Sequence, residues 1–374
     1  MVYFDNAATG GFKPRAVTDA VNDVTRYLCA NPGRSAHRLS ITGANIVYQT
    51  RQAVADYFGC QQNGVIFTKN CTEAINLALF GFLKKGQHVI TTVYEHNSTL
   101  RPLTALKERG IIDFTVVDKS ENQDILSAIK NAVKENTALI AVNALSNVTG
   151  EVLPVREIGE FAKAHQITFL VDGAQGGGHI PLSIKEDNVD MLALAGHKGL
   201  YAIMGIGALL VSEKVTLTPL LYGGTGTDTF NLNQPLDMPE GFEAGTLNLP
   251  AVASLYEGVT FLKNHGRNFH SRLIDASEYL INALNKIDGL TCFSAPNPAG
   301  IVSFSLKNLP SAEASDLFNR EFDIAVRGGY HCAPLIHKKL KTDNQGLIRV
   351  SLAVQNTSSE IDYFIRATQK IATV

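Results

Sequence analysis

Net charge of either sign, apolar runs of membrane-spanning length and paired cysteines are all missing from this sequence, and each absence removes a class of function. The 33 Lys and Arg residues are balanced by 35 Asp and Glu residues, for a formal net charge of -2. Such a chain has no field that draws it to nucleic acid or to an anionic membrane surface, so a small-molecule partner is expected. The longest apolar stretches, such as residues 203–211, fall well short of the ~20 residues a bilayer-spanning helix needs and are broken by glycine. They read as buried strands. The opening MVYFDNAATGGFKPR places an acid at Asp5 and lacks the basic-then-apolar order of a secretory signal, which predicts a cytoplasmic protein. The five cysteines, Cys29, Cys60, Cys71, Cys292 and Cys332, are odd in number and form no CxxC. That fits neither a disulfide framework nor a zinc site, and no metal is expected; one reactive thiol is the remaining expectation.

What is present is an α/β pattern. A chain of 374 residues exceeds what one hydrophobic core usually serves, so two domains are expected. We place the larger at 16–249 and build the smaller from 1–15 and 250–374. Short β-rich runs at 64–68, 88–93, 138–144, 167–171, 190–195 and 206–211 alternate with helical patterns. Several, including ALIAV and ITFLV, are almost continuously apolar, as strands covered on both faces are, which predicts a mostly parallel sheet sandwiched by helices. Between Leu221 and Pro250 the periodicity vanishes into Gly, Thr, Asn and Pro, which reads as a long functional loop.

In a parallel sheet the ligand sits beyond the carboxyl ends of the strands, so the residues that follow each run carry the chemistry. After 64–68, Asn70 with Glu73 makes a capping pair that leaves the amides around Cys71 and Thr72 at a helix N-terminus, where a phosphate is favoured; the plain alternative is a capped helix. His96 and Asn147 follow the next two runs and could equally be a satisfied polar residue and a turn residue. Asp172, at the mouth of ITFLV, is a carboxylate that wants a cation, either a salt-bridge partner or a protonated pyridine nitrogen. Lys198, after DMLALAGH, is an amine whose pKa a dry pocket lowers, which is what attack on an aldehyde requires. Asp172 and Lys198 suit the two ends of one pyridoxal ring, so the set including Gln175 and His197 points to pyridoxal 5′-phosphate on Lys198.

The motifs YFDNAAT, TKNCTEAIN, YEHNS, SNVTG, VDGAQ, AGHK, FEAGT, RGGYHCAP and IRVSLAVQNT occur in an order that resembles the class V aminotransferase-like group of fold-type I pyridoxal-phosphate enzymes. Within it the chain is similar to the cysteine desulfurase and selenocysteine lyase branch. The resemblance implies a large domain with a mostly parallel sheet and a smaller α+β C-terminal domain. It implies that Lys198 is the Schiff-base lysine, that Asp172 holds the pyridine nitrogen, that Gln175 bonds the phenolic oxygen and that His96 stacks on the ring. Cys71, Thr72 and His197 would hold the phosphate, joined by Gly245 and Thr246 of a partner subunit in a homodimer. Asn147 would support the cofactor and, with Arg327 and Arg349, the substrate, Arg349 clamping its carboxylate by a bidentate contact. The loop around Cys332 looks like that of the second group of cysteine desulfurases. L-Cysteine would then become L-alanine while its sulfur passes to Cys332 as a persulfide and on to an acceptor protein. A selenocysteine lyase, a C–S β-lyase, a true aminotransferase and an inactive sulfur-carrier subunit are the other readings. The chain departs from the family pattern at Tyr330 (often a second histidine), at Ala195 (often serine) and at Cys71 (usually threonine).

Overall fold

The structure, a computed structural model, describes residues 1–28 and 30–373, so Cys29 lies outside the described residues. The chain begins with β1 (Val2–Tyr3), α1 (Arg15–Tyr27) and α2 (Arg38–Phe58). A seven-stranded sheet follows, built from β2 (Val65–Thr68), β3 (Gln87–Thr92), β4 (Ile112–Val117), β5 (Thr137–Asn143), β6 (Thr168–Asp172), β7 (Met191–Ala195) and β8 (Gly207–Val211). Its order is β2-β8-β7-β6-β5-β3-β4. The central pairings from β7 to β4 are parallel, and only β8 runs against its neighbours β2 and β7. The mostly parallel sheet expected from the apolar runs is therefore the observed one. The strand β4 is an addition: it pairs only with β3 at the sheet edge, and its polar Asp113 and Thr115 hid it from a search for continuous apolar runs.

Side chains alternate between the two faces of the sheet with the period of two that a strand dictates. Leu139, Ala141, Leu170, Met191, Ala193 and Ala195 pack on one face beneath α3 (Cys71–Phe82) and α4 (Asn97–Glu108). Ile140, Val142, Phe169, Val171, Leu192 and Leu194 pack on the other, against α2, α6 (Val155–Ala164) and α7 (Leu249–His265). The same alternation turns Asp172, two residues after Leu170, toward the face that α3 covers. The helix α7 places Ala251, Val252, Leu255, Val259 and Leu262 in this large core, beyond the 249/250 division drawn from the sequence. Its composition is apolar nearly all round, and such a helix says that it is buried without saying in which core.

A second core gathers Phe4, Leu273, Phe304, Phe318, Val350 and Phe364 around a four-stranded antiparallel sheet. Its strands β9 (Leu290–Cys292), β10 (Ile301–Leu306), β12 (Arg327–Gly329) and β13 (Leu347–Ser351) lie in the order β12-β13-β10-β9. β1 pairs in parallel with β11 (Ile324–Ala325), so the first residues of the chain belong with its last third. Among the described residues no helix is long and apolar enough to cross a membrane.

The loop 221–250 is anchored near its end by Glu243. Its carboxylate accepts from both terminal nitrogens of Arg51 on α2, at 2.8 and 2.9 Å, and from the Phe67 amide of β2 at 2.6 Å. The two side chains are only 9% and 5% exposed, so removing one partner strands a buried charge. Glu243→Ala is expected to lower stability by roughly 3–5 kcal/mol, and the apolar pair Arg51→Met with Glu243→Leu to lose less. Urea unfolding of the parent and both variants checks this; equal losses would mean that the charge pair is not what holds the loop.

Candidate active site

The carboxyl ends of the parallel strands converge on a cavity of about 240 Å³ between the two cores. β6 delivers Asp172 and, just beyond it, Gln175; the turn after β7 delivers His197 and Lys198; the segments after β3 and β5 deliver His96 and Asn147. Cys71 and Thr72 open α3 behind the cap, where Asn70 Oδ1 accepts from the Glu73 amide at 2.9 Å. Glu73 reaches back one residue further than a capping box does, to the Lys69 amide at 2.5 Å. The small sheet adds Arg327 and Arg349 from β12 and β13, and Ala7 and Ala8 of the N-terminal segment close the wall.

Lys198 is half-buried, with its open side on the cavity. Burial holds its ammonium below the ordinary range, and the Asp172 charge opposes that shift without abolishing it. The two groups sense each other, yet no ion pair joins them among the described residues. Asp172 Oδ1 accepts from the Ala174 amide at 2.8 Å and from Cys71 Sγ at 3.5 Å. The peptide that carries Lys198 is fixed from outside the cavity, because the His197 carbonyl accepts from the Gly10 amide at 2.9 Å, from Lys13 Nζ at 3.1 Å and from Thr9 Oγ1 at 3.3 Å. Desolvation pushes the His197 imidazole down to about 4, so it stands neutral.

His96 caps α4, its Nδ1 accepting from the Ser98 amide at 3.0 Å and lying 2.6 Å from Ser98 Oγ. Burial lowers this ring to about 4 as well, which leaves a neutral aromatic face in the cavity wall. Gln175 Nε2 donates to the Ala7 carbonyl at 2.8 Å and Asn147 Nδ2 to the His331 carbonyl at 2.8 Å, while Gln175 Oε1 and Asn147 Oδ1 have no partner. Arg349 is 1% exposed; Nη2 meets Asp5 at 2.8 Å, Nη1 donates to the Asn147 carbonyl at 3.1 Å, and Nε alone is free. The open bidentate contact expected of Arg349 is thus partly occupied by the protein itself.

Buried polar atoms without partners cost about 1–3 kcal/mol each, so a cavity holding several calls for a polar guest. A pyridoxal phosphate fits this donor set: an anionic carboxylate for the ring nitrogen, an amine of lowered pKa for the aldehyde, a flat neutral histidine, and the helix N-terminus at Cys71–Thr72 for the phosphate.

Three of the residues marked in the sequence lie outside the cavity wall. Gly245 and Thr246 are exposed and bound elsewhere, Gly245 to the Gly224 carbonyl and Thr246 to Asn31. Cys332 is exposed, 4.0 Å from Nη2 of the cavity-lining Arg327. Its loop passes through two successive left-handed residues, His331 (φ +50°) and Cys332 (φ +56°). Their carbonyls are clamped by Asn147 Nδ2 at 2.8 Å and by the Asn97 amide at 2.7 Å.

Sequence reasoning missed Glu95 and the N-terminal segment. Glu95 is fully buried; Oε1 accepts from Thr92 Oγ1 at 2.7 Å and the Asn143 amide at 3.0 Å, and Oε2 has no partner. The signal was there, a carboxylate directly after an apolar strand, the same feature that marked Asp172. Burial raises its carboxyl from 4.5 to about 8, against the lowering effect of the two hydrogen bonds. A folded carboxyl that keeps its proton where the unfolded one has lost it stabilises the fold fully below pH 4.5, and this stabilisation drains away as pH rises to about 8. Glu95→Gln, neutral at every pH, is therefore expected to gain about 5 °C in Tm relative to the parent between pH 5 and pH 8. Parallel melting curves across that range would overturn the assignment of a protonated Glu95.

The aminotransferase class-V family model matches residues 2–364. A probable cysteine desulfurase of Pyrococcus abyssi is 33% identical over 393 aligned positions, covering 99% of this chain and 94% of its own. Another, of Methanothermobacter thermautotrophicus, is 33% identical over 380 positions, again covering 99% and 94%. The apo structure of a cysteine desulfurase from Thermococcus onnurineus NA1 superimposes with a TM-score of 0.91 at 30% identity, covering 100% of this chain and 94% of that one. A sheet that delivers an aspartate and a lysine into one cavity, joined to an antiparallel domain that brings two arginines, agrees with these matches from end to end: the chain belongs to the aminotransferase class-V family and, within it, to the cysteine desulfurases.

Proposed function

We propose that this enzyme converts L-cysteine to L-alanine with pyridoxal 5′-phosphate on Lys198, passing the sulfur to Cys332 in the manner of the second group of cysteine desulfurases. The observation that carries the reading is a half-buried lysine and a buried aspartate lining one cavity without pairing, with an exposed thiol 4.0 Å from Arg327 of the same wall. When bound, the cofactor supplies the electron sink that makes the substrate's α-proton removable.

The residues divide the remaining work. Lys198, whose pKa burial lowers, is the base that takes the α-proton. With the cofactor bound, Asp172 would keep the ring nitrogen cationic, His96 would support the ring face, Gln175 would bond the phenolic oxygen, and Thr72, His197 and the first amides of α3 would hold the phosphate. Arg349 and Asn147 orient the substrate carboxylate, with Arg349 Nε the open donor. The Cys332 sulfur attacks the substrate sulfur: an S–S bond forms, the C–S bond breaks, its electrons return to the carbon skeleton, and protonation gives alanine. A thiol on an acceptor protein, or a small reducing thiol, then removes the outer sulfur.

A homodimer completes the site through Gly245 and Thr246 of the partner subunit. Support comes from the same loop, where Tyr222, Phe230 and Leu232 expose 73%, 99% and 101% of their surface, an apolar area that a second subunit would cover. We place the enzyme in the cytoplasm, where the reducing thiols this chemistry consumes are abundant.

The test is to quantify alanine, pyruvate and sulfide from L-cysteine with dithiothreitol present. The parent is expected to release alanine and sulfide in equal amounts, Lys198→Ala neither, and Cys332→Ala at a rate lower by on the order of 100-fold. Parental turnover by Cys332→Ala would remove Cys332 from the reaction, and pyruvate in place of alanine would make the enzyme a β-lyase.

A further inference from the structure

The residue at the start of α3 departs from the family pattern, and its side chain meets Asp172. Cys71 Sγ sits 3.5 Å from Asp172 Oδ1, within the wall of the cavity. We propose that Cys71 is a positioning residue for Asp172: its thiol and the Ala174 amide both donate to Oδ1, fixing the carboxylate so that Oδ2 is the oxygen offered to a protonated ring nitrogen. The inference rests on the cofactor reading above and goes beyond it by assigning the orientation of Asp172 to a residue of this chain.

Three observations support it. Asp172 Oδ1 already has two donors, at 2.8 and 3.5 Å, while Oδ2 has no protein partner among the described residues. Gln175 and Asn147, 4% and 7% exposed, line the same cavity and each carries a buried oxygen without a partner, so the wall around Asp172 keeps hydrogen-bonding capacity for a ligand. Cys71 is also a donor in fact, because burial and the neighbouring Asp172 charge push its thiol well above the ordinary value, against a smaller opposing effect of Lys198. A thiolate there would place two anions side by side; a thiol makes one hydrogen bond to a charged acceptor. The adjacent Thr72 cannot substitute, since its hydroxyl lies 3.1 Å from Ser98 Oγ.

The experiment compares pyridoxal phosphate with its 1-deaza analogue, in which CH replaces the ring nitrogen. Equilibrium dialysis gives Kd for both ligands with the full chain prepared without cofactor, as parent, Cys71→Ser and Cys71→Val. Valine keeps roughly the volume and removes the donor, and serine keeps a donor. Cys71→Val is expected to weaken pyridoxal phosphate by about tenfold and the deaza analogue hardly at all, with Cys71→Ser close to the parent for both. Equal loss for the two ligands would reduce Cys71 to a packing residue, and no loss for either would overturn the inference outright. Should Cys71→Val not fold, Cys71→Ala takes its place with the same two ligands. A parent that binds neither ligand overturns the cofactor reading itself, whereas a parent that binds both while Cys71→Val discriminates nothing overturns this inference alone.

Discussion

Everything in the site depends on two groups of opposite charge preference being brought close and kept from touching. Asp172 and Lys198 stand at the ends of adjacent parallel strands, β6 and β7, so the sheet carries both to the same edge. A direct ion pair would be the simplest resolution and would close the cavity. Each group is instead accommodated separately, Asp172 by two donors on Oδ1 and Lys198 by a pKa that burial lowers. The free energy that a salt bridge would have taken up stays available to a ligand able to bridge the gap.

Keeping the two apart requires a rigid frame, and the N-terminal segment supplies much of it. Between β1 and α1 it offers Asp5 to Arg349, the Ala7 carbonyl to Gln175, and Thr9, Gly10 and Lys13 to the His197 carbonyl. One strap thus holds a side chain of the small domain and two segments of the large one. Lys13 is held down to about 8 by desolvation, the cost of placing an ammonium where the His197 carbonyl needs a third donor. On the opposite wall the register of β12 and β13 sets Arg327 directly across from Arg349. Two neighbouring guanidiniums repel, and with burial they lower the Arg349 pKa, but together they make a wall that attracts an anionic substrate.

Much of this was legible in the sequence because a parallel sheet writes its strands as apolar runs and its chemistry immediately after them. Asp172, Lys198, His96 and Asn147 were found in that way, and all four line one cavity. The strand β4 was not, since an edge strand with Asp113 and Thr115 has the composition of a loop. Glu95 was overlooked beside the more conspicuous His96, although its burial is the more costly of the two. The direction of the Cys71 side chain, toward Asp172, depends on how α3 rotates over the sheet. Periodicity does not encode that, because α3 is apolar on most of its surface. Nor does a single chain's sequence say which residues a neighbouring subunit would use, so Gly245 and Thr246 were marked only by resemblance.

The Cys332 loop bears on how sulfur would leave the site. Two consecutive non-glycine residues in the left-handed region cost of order 1 kcal/mol each, and such a conformation persists only where the surroundings impose it. Here Asn147 and the start of α4 clamp the two carbonyls, and the Ala333 amide closes the turn on the Tyr330 carbonyl at 3.0 Å. A thiol on such a turn has a fixed place at the cavity's outer side, next to Arg327 and open to solvent. Under the proposed reaction, substrate sulfur must therefore be presented to a stationary acceptor, and the persulfide then forms where another thiol can reach it without entering the cofactor cavity. Because the Asn147 side chain that clamps the loop also lines the cavity, the position of Cys332 and the wall of the site are tied through one residue.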